Sequence, residues 1–212
     1  MQQAASFNAQ ETANCWWALA RAGEQPSEAL LGGLLAATQR TAGTANGQDV
    51  SNTLWAMAKL GVNASPDVQS ALHAAAQRTA HEMTVQNAAN TVWALGKLQQ
   101  AVPQDARAAL LDAAQRVAPR ARVEHVVQTL MGLAALEWRT TATFRQAWLD
   151  AVGHVAPDLA GTQFTQVGRA LAAMGWQLPS DTHAALQRAS GRLSVAGSDA
   201  ARLQKVLARL RV

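Results

Sequence analysis

The sequence has little of what marks a disulfide-stapled or β-rich protein. It contains one cysteine, Cys15, which has no partner for an internal disulfide, so nothing indicates a stapled, secreted scaffold. Tyrosine is absent, phenylalanine occurs 3 times, and charged residues make up 15% of the 212 residues. Because strands are enriched in aromatic and β-branched residues, this composition favours helices. We predict that Cys15 is a small packing residue.

Long apolar runs are also missing. No run approaches the roughly 20 residues that a membrane-spanning helix requires, so we expect no membrane partner. Residues 1–10 lack the basic and apolar regions of a signal peptide and are not arginine-rich like a transit peptide. Residues 1–10 are equally compatible with a leader that was removed earlier. The compartment therefore stays open: mitochondrion or chloroplast in a eukaryote, otherwise the bacterial cytoplasm or a secreted effector.

Motifs for catalysis and metal binding are missing as well. His81 and Glu82 begin like a zinc-protease motif, but Val85 stands where its second histidine is required. The other histidines have no cysteine or carboxylate partner at ligand spacing; they are His73, His125, His154 and His183. The sequence has no phosphate-binding loop and no G-x-S-x-G elbow. We expect a protein that is not an enzyme and holds no cofactor or metal.

What the sequence does contain is a repeat. The string N-T-L-W-A-M-A-K-L-G begins at Asn52 and recurs as N-C-W-W-A-L-A-R-A-G from Asn14 and N-T-V-W-A-L-G-K-L-Q from Asn90. Two diverged copies begin at Gln128 and Gln166, so successive copies are always 38 residues apart. A fixed period of this length is typical of a helical repeat protein.

Each repeat is predicted to form a helical hairpin. In the second repeat, residues 48–60 have the pattern of a first helix (helix A), which Gly61 ends. Ser65 and Pro66 open a second helix (helix B) that extends to about Thr79. We therefore predict an all-α fold, an α-solenoid of five 38-residue helix-turn-helix repeats plus a C-terminal capping helix.

The predicted domain organisation is a single domain over residues 1–212. The repeats span about 8–45, 46–83, 84–121, 122–159 and 160–197, followed by a cap at 198–212. Within the cap, a helix from Ala200 to about Arg211 would place its apolar residues on one face. These are Leu203, Val206, Leu207 and Leu210.

The apolar residues of helix A fall on one face, which we predict to be the hairpin core. One column holds Trp16, Leu54, Val92, Leu130 and Gly168, another Leu19, Met57, Leu95, Leu133 and Leu171, and a third Ala22, Leu60, Leu98, Leu136 and Met174. They would pack against the helix B column of Leu34, Leu72, Leu110, Trp148 and Leu186.

The opposite face of helix A carries a polar stripe, which we call the amide stripe. It comprises Gln10, Asn14, Trp17 and Arg21, then Gln48, Asn52, Trp55 and Lys59, then Gln86, Asn90, Trp93 and Lys97, with Glu124, Gln128 and Gln166 in the diverged copies. Amides can pair with base edges, tryptophan can stack on bases, and cations can meet phosphates. Alternatively, the amides bridge neighbouring repeats and the indoles pack between helices, the role we favour for tryptophan.

Beside the amide stripe lies a column that stays polar but changes identity in every repeat. It consists of Glu11, Asp49, Asn87, His125 and Gln163. A varying residue next to nearly fixed amides suits the recognition of a linear polymer, one unit per repeat. We include this column among the candidate RNA-binding residues.

Helix B ends in a ladder of basic residues: Arg40, Arg78, Arg116, His154 and Arg192. Cations at a helix C-terminus are favoured by the helix dipole alone, by about 0.3–1 kcal/mol each. The alternative is that Arg40, Arg78, Arg116 and Arg192 contact phosphates. The net charge of +4 is compatible with a polyanionic partner without establishing one.

The period of 38 residues together with N-T-L-W-A-M-A-K-L-G and N-T-V-W-A-L-G-K-L resembles the octotricopeptide repeat. Such repeats occur in green-algal organelle proteins and some bacteria and are related to those of mitochondrial FAST-kinase-domain proteins. The resemblance covers residues 6 to about 197 and weakens in the last two repeats, where Met131 and Arg169 replace the tryptophan.

The resemblance implies a non-catalytic α-solenoid that binds single-stranded RNA and acts in RNA processing, stability or translation in organelles. Many members also carry a RAP domain with a nuclease-like fold, which these residues do not contain, so cleavage is not implied. Two alternatives stay open. One is a protein-interaction scaffold, as in bacterial effector-like repeat proteins. The other is a component of a mitochondrial ribosome that clamps rRNA, with other proteins of a ribonucleoprotein assembly as partners.

Overall fold

The computed structural model describes residues 6–195 and 205–210, which contain helices, turns and no β-strand. Ten α-helices of 14 or 16 residues follow one another. They are α1 (Ala9–Ala22), α2 (Glu28–Thr41), α3 (Gly47–Leu60), α4 (Pro66–Thr79), α5 (Val85–Leu98), α6 (Gln104–Val117), α7 (Val123–Leu136), α8 (Ala142–Val155), α9 (Gly161–Met174) and α10 (Ser180–Val195). The odd-numbered helices are the predicted A helices and the even-numbered ones the B helices.

Every A helix ends at a residue in the left-handed conformation. Three of these residues are glycines, including Gly61 with a φ of 69°, where the missing Cβ removes the steric penalty. In α5 and α7 the position is taken by Gln99 and Glu137, both with a φ of 51°. The predicted helix end at Gly61 is therefore confirmed, and the same backbone turn is built without glycine elsewhere.

Helix α4 begins at Pro66, as predicted, and α2 and α8 begin after capping residues. Ser27 and Thr141 cap α2 and α8 by accepting the backbone N–H groups of Leu30 and Phe144. Ser65 stands at the N-cap of α4 with extended backbone but makes no side-chain capping bond. Four B helices end in short 3-10 turns, at Ala42–Thr44, Ala80–Glu82, Ala118–Arg120 and Ala156–Asp158. Each turn leads the chain into the next A helix.

The helices form two compact units, residues 1–114 and 115–212. In the first unit, α3 packs between α1 and α5, and α2 packs against α4. Three residues of the predicted core columns, Trp16, Leu54 and Leu72, are between 0 and 2% exposed. Trp16 also donates its indole N–H to Thr38 Oγ1 at 2.9 Å, which satisfies the buried polar edge of the ring.

In the second unit, α7 packs against α9 and α8 against α10. The predicted helix B residue Trp148 is 1% exposed. Residues 205–207 are helical, and Val206, Leu207 and Leu210 are buried as predicted for the cap. A Cβ at Gly168 would collide with Val206 Cγ1, so the cap approaches the backbone of α9 closely. Residues 208–210 form a turn and a bend, so the prediction of a helix to about Arg211 is wrong at this end. The part of the predicted cap helix before residue 205, with Leu203, lies outside the described residues.

Helices that stack A on A and B on B within each unit define an all-α solenoid, and that predicted fold class is confirmed. The third predicted core column is wrong in part. Ala22 is exposed, and Leu60, Leu98, Leu136 and Met174 are only partly buried. These residues occupy the last turn of helix A, where the chain leaves the hairpin. The single-domain organisation stays a prediction.

Candidate nucleic-acid interface

The amide stripe of the first unit lies on α1, α3 and α5. Gln10, Asn14, Gln48 and Gln86 are exposed, and Asn52 is partly exposed. Because α3 packs between α1 and α5, these amides are carried by three helices that lie side by side. Amide groups both donate and accept hydrogen bonds, so the surface can pair with polar groups of either kind.

Cations stand at the C-terminal end of the amide stripe. Arg21, Lys59 and Lys97 are exposed in the last turns of α1, α3 and α5. The guanidinium carbon of Arg21 lies 5.6 Å from the ring centroid of Trp17, and Lys59 Nζ lies 5.8 Å from that of Trp55. At exposed sites such cation–π contacts contribute about 0.5–1 kcal/mol each.

The stripe tryptophans differ in exposure. Trp17 is 45% exposed, whereas Trp55 and Trp93 are partly buried. Half-burial of the last two agrees with the packing role we favour for the indoles. In the described chain, Trp17 is the large apolar side chain left most open to solvent.

Three amides of the third repeat are hydrogen-bonded to other side chains. Gln86 Nε2 donates to Asn90 Oδ1 at 2.9 Å, and Asn90 is 8% exposed. Asn87 Nδ2 donates to Ser51 Oγ on the neighbouring α3 at 3.1 Å. Asn87, a member of the varying polar column, thus bridges two neighbouring repeats through its amide.

The varying polar column has a structural role that the sequence analysis missed. Each member occupies the third position of its A helix and accepts the backbone N–H of the N-cap residue. The hydrogen bonds are Asn8 N to Glu11 Oε2 at 2.9 Å, Asn46 N to Asp49 Oδ2 at 3.1 Å, Thr84 N to Asn87 Oδ1 at 3.2 Å, Arg122 N to His125 Nδ1 at 3.0 Å and Ala160 N to Gln163 Oε1 at 2.9 Å. What the positions share is an acceptor atom for the N–H of the N-cap residue. In α1, α3 and α5 the N-cap side chain returns the bond and completes a capping box, whereas Arg122 and Ala160 have no side-chain acceptor that could return it.

Burial differs within this column. Asp49 is 7% and His125 6% exposed, whereas Glu11 in the first repeat is open to solvent. Burial lowers the pKa of His125 below 6.5, and Arg122 lowers it further, although Glu124 acts in the opposite direction. A neutral His125 is what the cap requires, because Nδ1 accepts the N–H of Arg122 only when unprotonated.

The arginine ladder binds backbone carbonyls. Arg78 Nη2 donates to the carbonyl oxygens of Ala42 at 3.0 Å and Ala45 at 2.7 Å. Arg40 and Arg192 make the equivalent bonds to Phe7 O at 2.9 Å and Leu159 O at 2.8 Å. Each guanidinium thus fixes the segment that leads into the A helix of its own repeat. This contact, which the dipole argument did not foresee, is a second structural reason for the ladder.

In the second unit the amide stripe is weaker. Glu124 and Gln166 are exposed, and Gln128 is partly exposed. Arg169, which replaces the tryptophan on α9, is exposed. The described chain contains no group of three or more His, Cys, Asp or Glu residues placed to hold a metal ion. Among the described helices, none has the length and apolar character needed to span a bilayer.

The capping role had a visible indication in the sequence. Asn8 and Glu11, Asn46 and Asp49, and Thr84 and Asn87 each stand three residues apart at the start of an apolar helical pattern, which is the spacing of a capping box. The partners of the arginine ladder had no such indication, because the carbonyls belong to 3-10 turns and connecting segments far away in sequence.

The described residues define a helical-repeat protein whose A helices present a polar and partly cationic face. Residues 20–211 match the family described as Tbc2 translation factor, N-terminal domain. Because the match covers most of the chain, this chain belongs to that family, whose description relates it to translation. No curated protein matches the chain significantly.

Proposed function

We propose that this chain is a non-catalytic protein that binds single-stranded RNA along the A-helix surface and acts in translation, stability or processing of a transcript. The observation that carries the proposal is the family match over residues 20–211, since translation acts on RNA. We also propose that the repeats of this chain are octotricopeptide repeats, which they resemble in sequence.

Charge on the amide stripe supports an anionic partner. Arg21, Lys59 and Lys97 are exposed, whereas the carboxylate of Asp49 is buried and bonded to Asn46 N. In the second and third repeats the cations are thus presented to solvent, and Asp49 contributes little negative surface. An RNA backbone meets favourable charge along α3 and α5.

The exposed amides support contacts to bases. Gln10, Asn14 and Gln48 are not engaged with each other, and each offers both a donor and an acceptor to a base edge. Helical repeats that recognise RNA in this way use two or three side chains for each base. With few repeats the chain would hold a short RNA segment, so its affinity would benefit from other proteins in a larger assembly.

The other candidate residues stay part of the proposal with a narrower role. Glu11, Asp49, Asn87, His125 and Gln163 each commit one atom to a helix cap, which restricts a base contact to their remaining atoms. Arg40, Arg78 and Arg192 each commit an Nη2 to a backbone carbonyl. Arg40, Arg78, Arg116 and Arg192 stay the candidate phosphate contacts.

Fluorescence anisotropy with a labelled single-stranded RNA tests the proposal. The variant R21Q/K59Q/K97Q removes the three stripe cations, and R120Q/R188Q/K205Q removes three exposed cations that lie outside the stripe. We expect the stripe variant to bind more weakly. We also expect the slope of log K against log salt, which is negative, to become shallower by about 2. No binding of wild type at low salt, or equal losses in both variants, would contradict the proposal. Saturable binding of protein ligands alone would favour the interaction scaffold.

A further inference from the structure

An open cavity of about 590 Å³ lies within the second unit. Its walls come from the turn after α7, the first two turns of α8 and the turn after α9. The side chains that matter for its chemistry are Trp138, Arg139, Arg145, Gln146, Trp176 and Gln177. The volume falls in the range of about 300–1,000 Å³ that is common for small-ligand sites.

The two tryptophans occupy equivalent positions in successive repeats, 38 residues apart. In these same two repeats the amide stripe has lost its tryptophan, which is replaced by Met131 and Arg169. The first three repeats have Glu24, Val62 and Gln100 at the equivalent position. The first three repeats thus carry a tryptophan on the A-helix surface, whereas the last two carry it in the turn between helices A and B, where the cavity lies.

The charge of the cavity has one sign. Arg139 is exposed, and Arg145 is fixed by a hydrogen bond from Nη1 to the carbonyl oxygen of Thr140 at 3.0 Å. None of the 11 residues that line the cavity, all within the described part of the chain, is acidic. Two guanidinium groups without a carboxylate partner in the walls suit an anion, and their forked N–H groups suit phosphate best.

The two aromatic walls differ in burial. Trp176 is 7% exposed and meets Phe144 edge to face, with ring centroids 6.4 Å apart and planes at 84°. Its ring is thus fixed and forms a rigid wall. Trp138 is only partly buried, so its ring keeps a surface on which a flat ligand can stack.

We propose that this cavity binds a nucleotide. The base stacks on Trp138 against the fixed wall of Trp176, and the phosphate is held by Arg139 and Arg145. Gln177 supplies an amide contact at the edge. Gln146 Nε2 already donates to Asp150 Oδ1 at 2.7 Å, so Gln146 offers its amide oxygen. The site shares no residue with the amide stripe, so it does not depend on RNA binding along the A helices. A free mononucleotide and the terminal nucleotide of an RNA chain present the same chemistry.

Calorimetric titration of the full chain with adenosine 5′-monophosphate tests the site, with adenosine as the uncharged comparison. We expect saturable binding of the monophosphate, weaker binding of adenosine, and a loss of about tenfold or more in R139Q/R145Q. R120Q/R188Q removes the same charge from exposed positions outside the cavity and should keep the affinity within about twofold. W138L keeps both cations and should weaken binding through lost stacking. If R145Q disturbs folding, R139Q and W138L still test the cavity.

A second titration distinguishes the two sources of the nucleotide. A short RNA with a 5′-phosphate is compared with the same RNA carrying a 5′-hydroxyl. A phosphate preference that disappears in R139Q/R145Q, without binding of the monophosphate, identifies an RNA end as the ligand. If neither probe responds to R139Q/R145Q or W138L, the proposal is wrong. R21Q/K59Q/K97Q should leave monophosphate binding unchanged, which separates this site from the A-helix surface.

Discussion

Asp49 and Asn46 cap the start of α3 reciprocally. Asp49 Oδ2 accepts the backbone N–H of Asn46 at 3.1 Å, and Asn46 Oδ1 accepts the N–H of Asp49 at 2.9 Å. The same third-position bond recurs in all five A helices with a different residue each time. A column that varies in sequence is thus constant in its hydrogen bonding.

Replacing Asp49 by alanine tests this capping role. D49A leaves the part-buried N–H of Asn46 without its partner, and we expect the free energy of unfolding to fall by about 1 kcal/mol. D49N retains an acceptor oxygen, as Asn87 does in the third repeat, and should lose less than half as much. Urea denaturation measures both. Equal losses in D49A and D49N would show that the carboxylate charge matters more than the cap.

Arg78 is predicted to stabilise the segment before α3. R78Q removes the two hydrogen bonds to Ala42 and Ala45, and we expect a loss of about 1 kcal/mol, because solvent exposure of the arginine discounts a charged hydrogen bond. K97Q, which removes an exposed cation, is the control for stability and should change it by less than about 0.5 kcal/mol. Hydrogen exchange of residues 42–46 should also accelerate in R78Q. Unchanged stability and exchange would leave phosphate binding as the reason for the ladder.

Stability should decrease in mild acid because of two buried histidines. His73 Nε2 lies 2.9 Å from Gln100 Oε1, and burial lowers its pKa below 6.5, although the bond to Gln100 acts in the opposite direction. Burial likewise lowers the pKa of His125. The unfolded chain then binds more protons than the folded one, so the stability present above pH 6.5 is lost as the pH falls through the lowered pKa values.

Urea denaturation between pH 7.5 and pH 5 measures this dependence. The variant H73Q/H125N keeps polar side chains at both positions and should show a shallower loss of stability, whereas H81Q, at an exposed histidine, should follow wild type. A pH dependence identical in wild type and H73Q/H125N would contradict the assignment to these two residues.

Much of the fold is predictable from the sequence, because it depends on local and periodic features. The period of 38 residues, the turn at Gly61 and the helix start at Pro66 each have a local physical cause. The candidate site is less predictable. Asp49 and Asn87 suit a ligand as well as a cap, and only the backbone geometry shows which atoms are committed. The bonds of Arg78 and the cavity at Trp138 depend on turns that no helical pattern describes.

Crosslinking tests the central claim, RNA bound along the A helices, most directly. A single-stranded RNA containing 4-thiouridine is bound to the chain, irradiated and digested, and the crosslinked peptides are identified by mass spectrometry. We predict crosslinks in peptides from α1, α3 and α5 around Trp17, Trp55 and Trp93, and fewer of them in R21Q/K59Q/K97Q at the same RNA concentration. Crosslinks at saturation that avoid these three helices would contradict the account.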